Sequence, residues 1–309
     1  MSSVLICRAL VLAAAVIMAS ATFPMADEIE EGDVSLEYFL SLIRNPKTVE
    51  KANAQIYQQN EILFCTGDTN AAKANNEAAE LMSKGDYEEG KNRLEKIMPN
   101  AALFFPFQYN LGLCYYHLND RAKARLHLDK ARQIVPEYYL PYVQLGHLDS
   151  FEGKDDPAIN HYRESLIRNN KYINAMVLIG DIFFKRRQVT AAVKYYDAVL
   201  TVDPRFPNAL IGKGKVLFYR EQFYKAYQML LMVDTKGVYD KSLHFYLAEC
   251  AYKLQDYKAS YEQYTKLLEF KSDRFFITTS LKLIEHKQEL AKRSIPRHKK
   301  GEPYDLVER

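Results

Sequence analysis

Residues 105–138 read FPFQYNLGLCYYHLNDRAKARLHLDKARQIVPEY, and this stretch decides the fold. Leu111, Gly112 and Tyr115 share one face of a first helix, and Ala124, Leu128 and Ala131 share one face of a second. Steps of three and four residues are helical, because strand faces repeat every second residue. Asn119-Asp120 supplies the turn between the helices, and Pro136 ends the second. Working outward, Gly112 belongs to a row of small residues spaced 34 apart: Ala78, Gly112, Gly146, Gly180, Gly214 and Ala248. A second small row holds Gly90, Ala124, Ala158, Ala192, Ala226 and Ser260. Bulky residues follow at the same period: Leu94, Leu128, Tyr162, Tyr196, Leu230 and Tyr264. Two small rows beside one bulky row describe two helices per repeat that approach closely at a fixed point.

This pattern resembles the tetratricopeptide repeat family, whose units are helix–turn–helix pairs of 34 residues. Six windows keep one phase: 71–104, 105–138, 139–172, 173–206, 207–240 and 241–274. The second departs from the family pattern only where Gln108 stands in place of an aromatic. The third carries Tyr142, Leu145, Gly146, Ala158 and Tyr162 but has Asn170 for the closing proline, which the fourth restores as Pro204. The windows from Ala71 and Lys241 are looser. The resemblance implies an all-α, right-handed superhelical solenoid of antiparallel helix pairs. Turn chemistry agrees at Gly85-Asp86 and Gly153-Lys154, and Asp156-Pro157 reads as an N-cap followed by a first-turn proline. Before the repeats, residues 22–70 form an acidic segment with short helices predicted over Ser35–Arg44 and Thr48–Cys65. After them, residues 275–292 read as an amphipathic capping helix, since a solenoid needs its last apolar face covered. Residues 293–309 form a basic flexible tail.

A length of 309 residues suggests roughly two globular domains, but stacked repeats need no single core. The net charge of +3 gives no general reason to expect nucleic acid. Residues 1–21 place Arg8 before an apolar run and Ala19-Ser20-Ala21, the layout of a secretory signal peptide. The run is too short for a transmembrane helix, so the mature chain is expected to have none. Export to a periplasm or cell envelope is one expectation. A cytoplasmic protein starting at Met25 is the other. Cys65, Cys114 and Cys250 would remain after processing, an odd number without CxxC spacing, so neither disulfide framework nor zinc site is expected. The seven histidines lack ligand spacing, and Gly212-Lys213-Gly214-Lys215 lacks the spacing and hydroxyl of a phosphate loop. Catalytic residues, cofactors and metals are therefore predicted absent, and the chain is read as non-enzymatic.

In the family it resembles, first helices line the concave side, and positions 2, 5, 9 and 12 of each window share one face. The expected partner-binding groove is Tyr109, Tyr116, His147, Asn174, Asp181, Phe184, Asn208, Lys215, Phe218, Phe245 and Tyr252. Such a groove would hold a peptide or helix of a partner protein, with rings for contact area and polar groups for its backbone. A competing reading has the rings stacking on one another to stiffen the solenoid. The subgroup of the family that grips chaperone C-termini requires a Lys–Asn pair, yet Asn75, Ala79, Tyr109 and Leu113 stand there. Two roles remain open: a reversible interaction scaffold, or a permanent subunit of a secretion, pilus or motor assembly.

Overall fold

The computed structural model describes residues 56–66, 69–96, 104–233, 241–269 and 281–296. The leader, the predicted helix at 35–44 and the tail beyond residue 296 lie outside the described residues. Six helix pairs follow one another: α1 Asn70–Ser83 with α2 Tyr87–Glu95, α3 Phe105–His117 with α4 Arg121–Ile134, α5 Leu140–Phe151 with α6 Asp155–Arg168. Then come α7 Asn174–Lys185 with α8 Val189–Val202, α9 Pro207–Tyr219 with α10 Phe223–Leu231, and α11 Lys241–Lys253 with α12 Tyr257–Leu268. α13, Leu281–Ser294, packs on α12 through buried Ile284 and Ala291. This is an all-α solenoid of the right-handed superhelical class, with one added hairpin.

The small and bulky rows meet inside each repeat. A Cβ placed on Gly112 would lie 2.8 Å from Leu128, on Gly146 2.5 Å from Tyr162, on Gly180 2.8 Å from Tyr196, and on Gly214 2.6 Å from Leu230. Those separations leave no room for a methyl group. Gly212, the first glycine of the false phosphate loop, is explained by packing too, because a Cβ there would meet Tyr196 of the preceding repeat at 2.5 Å. Between paired helices the chain turns at Gly85, Asn119, Gly153, Arg187, Glu221 and Gln255, all at positive φ. Asp86, Asp120 and Asp256 cap the helices that follow, accepting from the backbone N–H three residues on. Asp156 does not cap α6, which begins one residue earlier with Lys154 at the N-cap. Asp155 instead pairs with Lys185 and Arg186 of the next repeat. The departure at Gln108 is matched elsewhere: His127 Nδ1 lies 2.8 Å from Gln108 Oε1. Repeat six repeats that pair in mirror image, with His244 Nδ1 2.9 Å from Gln263 Oε1.

The helix predicted over Thr48–Cys65 is corrected from residue 56 onward. β1 Ile56–Gln59 and β2 Ile62–Cys65 form an antiparallel hairpin that pairs Gln59 with Ile62. Asn60 and Glu61 form its two-residue turn with φ of 47° and 67°, the backbone of a type I′ hairpin. All four β2 residues are buried. Side chains of the first helices satisfy its outer edge as a third strand would. Leu63 N–H donates to Asn110 Oδ1 at 3.0 Å, while Asn110 and Asn75 donate to Leu63 O at 2.7 and 2.9 Å. Asn76 grips Cys65 at both N–H and C=O, each 2.8 Å. Glu61 accepts from Gln144 at 2.8 Å and from the Tyr172 hydroxyl at 3.0 Å. Those charged bonds, about 1.5–3 kcal/mol each, offset the roughly 1–2 kcal/mol that a non-glycine residue costs at positive φ. The hairpin thus lies along the first helices of repeats one to three.

Glu61→Ala keeps the strained backbone and removes both bonds. Exchange of the Leu63 and Cys65 amides is expected to quicken about tenfold or more, the effect of losing roughly 1.4 kcal/mol of local stability. Unchanged protection would contradict Glu61 as the anchor. A second expectation concerns acid. His127 is 5% exposed; burial, with Lys130 and Lys123 adding to it against Glu95, lowers its pKa from 6.5 to about 4. Its neutral form stabilises the fold fully above pH 6.5, and that stability is lost as the pH falls to about 4. The loss approaches about 3 kcal/mol. Melting followed from pH 7 to 4.5 should fall less steeply for His127→Gln than for the native chain, and an equal slope would refute the assignment.

Candidate functional site

Helical periodicity places position 9 of each repeat on the exposed face of the first helix, yet the structure assigns most of these side chains internal work. His147, Asp181 and Glu249 each face the tyrosine fifteen residues later. The Tyr162 hydroxyl lies 3.1 Å from His147 Nδ1, the Tyr196 hydroxyl donates to Asp181 Oδ1 at 2.6 Å, and Tyr264 donates to Glu249. Withdrawal from water lowers the pKa of His147, which favours a neutral ring beside the Tyr162 hydroxyl. Burial likewise raises Tyr162, Tyr196 and Tyr264, keeping them donors. Where the bulky row holds leucine, position 9 is apolar at Ala79 and Leu113, opposite Leu94 and Leu128. Lys215 breaks the rule. Opposite it stands Leu230, and among the described residues Lys215 has no hydrogen bond or ion pair.

The remaining groove residues fall into three groups. Tyr109 is removed from the candidate surface: it is wholly buried in the cluster that includes Ile62, Leu63 and Phe64 of the hairpin. Tyr116 is half-buried beside His117, Tyr252 meets Tyr257 edge-on at 5.4 Å, and exposed Asn208 donates to Asn174 at 2.9 Å, linking α9 to α7. Phe184, Lys215, Phe218 and Phe245 converge on one open pocket of about 630 Å³. α7, α9 and α11 contribute its walls, and Tyr219, Phe223 and Tyr246 add rings that the helical-face argument missed. Tyr219 and Tyr246 sit one position from the predicted face, and Phe223 opens a second helix.

These rings also pack on one another across repeats. Phe184 meets Tyr219 edge-on at 6.1 Å and Phe218 meets Tyr246 at 5.3 Å, while within repeat five Phe218 meets Phe223 at 5.3 Å. Stacking and lining are therefore joint roles of one set of rings. Most charges around the pocket are occupied. Lys185 holds Asp155 at 2.9 Å, Arg187 lies 5.0 Å over the Tyr219 ring, and Lys253 lies 5.7 Å over Phe223. Glu249 binds Lys287 of α13 besides Tyr264. No group of His, Cys, Asp and Glu among the described residues has the arrangement to hold a metal ion. Cys65, Cys114 and Cys250 are buried thiols whose pKa values burial raises to about 11, 12 and 12, which makes them poor nucleophiles.

Family models for the tetratricopeptide repeat match residues 106–138 and 158–228. Tetratricopeptide repeat protein 21B of Xenopus laevis is 27% identical over 119 residues, covering 38% of this chain and 9% of that protein. The chain therefore spans less than a tenth of that relative's length. Among solved structures, the Cut9–Hcn1 assembly of the APC/C is similar with a TM-score of 0.59 at 15% identity, covering 74% of this chain and 50% of that one. The type IV pilus biogenesis factor PilW is similar with a TM-score of 0.56 at 17% identity, covering 71% and 100%. At these identities the structural likeness establishes the fold alone. The crossings repeated every 34 residues agree with the two family-model matches, which identify tetratricopeptide repeats at residues 106–138 and 158–228.

Proposed function

We propose that the chain is a non-enzymatic interaction scaffold that docks a segment of a partner protein on the first helices of repeats four to six. One observation carries the reading. The same row of helices is covered by the hairpin in repeats one to three, and in repeats four to six it opens into the ring-lined pocket. A pocket of about 630 Å³ lies in the size range of specific binding clefts, and aromatic anchors dominate most interface energies. An extracytoplasmic setting is part of the proposal and rests on the signal-like pattern of residues 1–21.

Because Phe184 and Phe218 also brace neighbouring repeats, truncating them would lower stability together with binding. Photo-crosslinking separates the two. A photoreactive amino acid at Tyr219, 49% exposed on the pocket rim, should capture a partner in the native host. The same group at Leu126, 52% exposed on α4, should capture none. Adducts at Leu126 alone would move the docking surface to the second helices and contradict the proposal. N-terminal sequencing of the same preparation should find residues 1–21 removed, and their retention in a cytoplasmic fraction would contradict the proposed compartment.

A further inference from the structure

Lys215 is the residue whose presence the fold itself does not explain. Every other polar side chain at position 9 bonds the tyrosine of its own repeat, and the two repeats with leucine there have apolar partners. Repeat five alone sets a charge against a leucine, half-buried on the pocket wall. Its neighbour Lys213 shows the ordinary alternative, pairing with Asp197 at 2.5 Å. An ammonium held partly out of water among rings, with no acid paired to it among the described residues, is poised for an acid supplied from outside.

The rest of the pocket carries the same sign. Arg187 and Lys253 accompany Lys215, with Lys185 already held by Asp155, whereas the acids are Glu221, exposed at a turn, and Glu249, already held by Lys287 and Tyr264. Arg187 also keeps a side chain at φ 64°, where repeats one to three use glycine or asparagine. We infer that this pocket recognises an acidic segment of the partner, one Asp or Glu carboxylate meeting Lys215 while an adjacent apolar side chain enters among Phe184, Phe218 and Phe245. The inference rests on the proposed docking surface and adds the chemistry of what docks there.

The test is selection from a random dodecapeptide library, displayed with blocked C-termini, on the full chain. Enriched peptides should be acidic, with Asp or Glu next to a large apolar residue. Their affinity should fall about tenfold in Lys215→Met and hold in Lys213→Met, and it should weaken with added salt. Arg187→Gly supplies a variant whose fold is not at risk, because glycine suits that turn. It should bind several-fold more weakly with a melting temperature unchanged or raised. Enriched peptides without acid that still compete with crosslinking at Tyr219 would overturn the inference and leave the docking surface standing. Failure to enrich any peptide that competes there would count against both. Enrichment only from a parallel library with free C-termini would overturn the side-chain carboxylate in favour of a terminal one.

Discussion

The contact on which everything else depends is the crossing inside each repeat, where a small residue, glycine in repeats two to five and alanine in one and six, lies against the side chain of the bulky row. At Gly146 the ring of Tyr162 occupies the space a Cβ would need, at 2.5 Å. Helix propensity favours alanine over glycine there by about 0.5–1 kcal/mol. Overpacking a closed crossing costs about 1–3 kcal/mol, so packing outweighs propensity and glycine stays. The crossing also decides the polarity of the first-helix surface. A tyrosine in the bulky row brings a hydroxyl to the far side of the crossing, and position 9 must answer it, as His147, Asp181 and Glu249 do. Leucine makes no such demand, which is why the charge of Lys215 stands out.

The surface proposed for a partner follows from subtraction. The hairpin covers the first helices of repeats one to three, using asparagine carboxamides where a sheet would use a neighbouring strand. Internal tyrosine bonds take up three polar residues of the row. α13 claims Glu249 through Lys287 and rests Lys287 5.6 Å over Phe245. What remains is the ring-lined, basic pocket of α7, α9 and α11.

The repeats were legible in the sequence because a crossing imposes the same residue size at the same place six times. The hairpin was not. Ile62-Leu63-Phe64-Cys65 is a short apolar run that fits a helix or a strand, and the groups that settle it lie far along the chain. Asn75 is 12 residues away and Asn110 is 47. Glu61 adds a second obstacle, since a charged residue at positive φ makes sense only with Gln144 and Tyr172 beside it. For the candidate site, the helical face correctly gathered Phe184, Lys215, Phe218 and Phe245, but it gave no sign that Tyr109 is covered. The internal role of Asp181 was readable in principle, because its tyrosine stands fifteen residues on in a row already recognised. Gln108 was visible as a departure, but its partner His127 was not, because a hydrogen bond between helices leaves no periodic trace.

Amide hydrogen exchange on Gly146→Ala tests the crossing most directly. A single methyl group should accelerate exchange in α5 and α6 by about ten- to a hundredfold, spread more weakly to α4 and α7, and leave α11 and α12 nearly untouched, because repeats couple mainly to their neighbours. Protection that is unchanged, or lost evenly along all the described helices, would contradict the claim that these crossings hold the solenoid together.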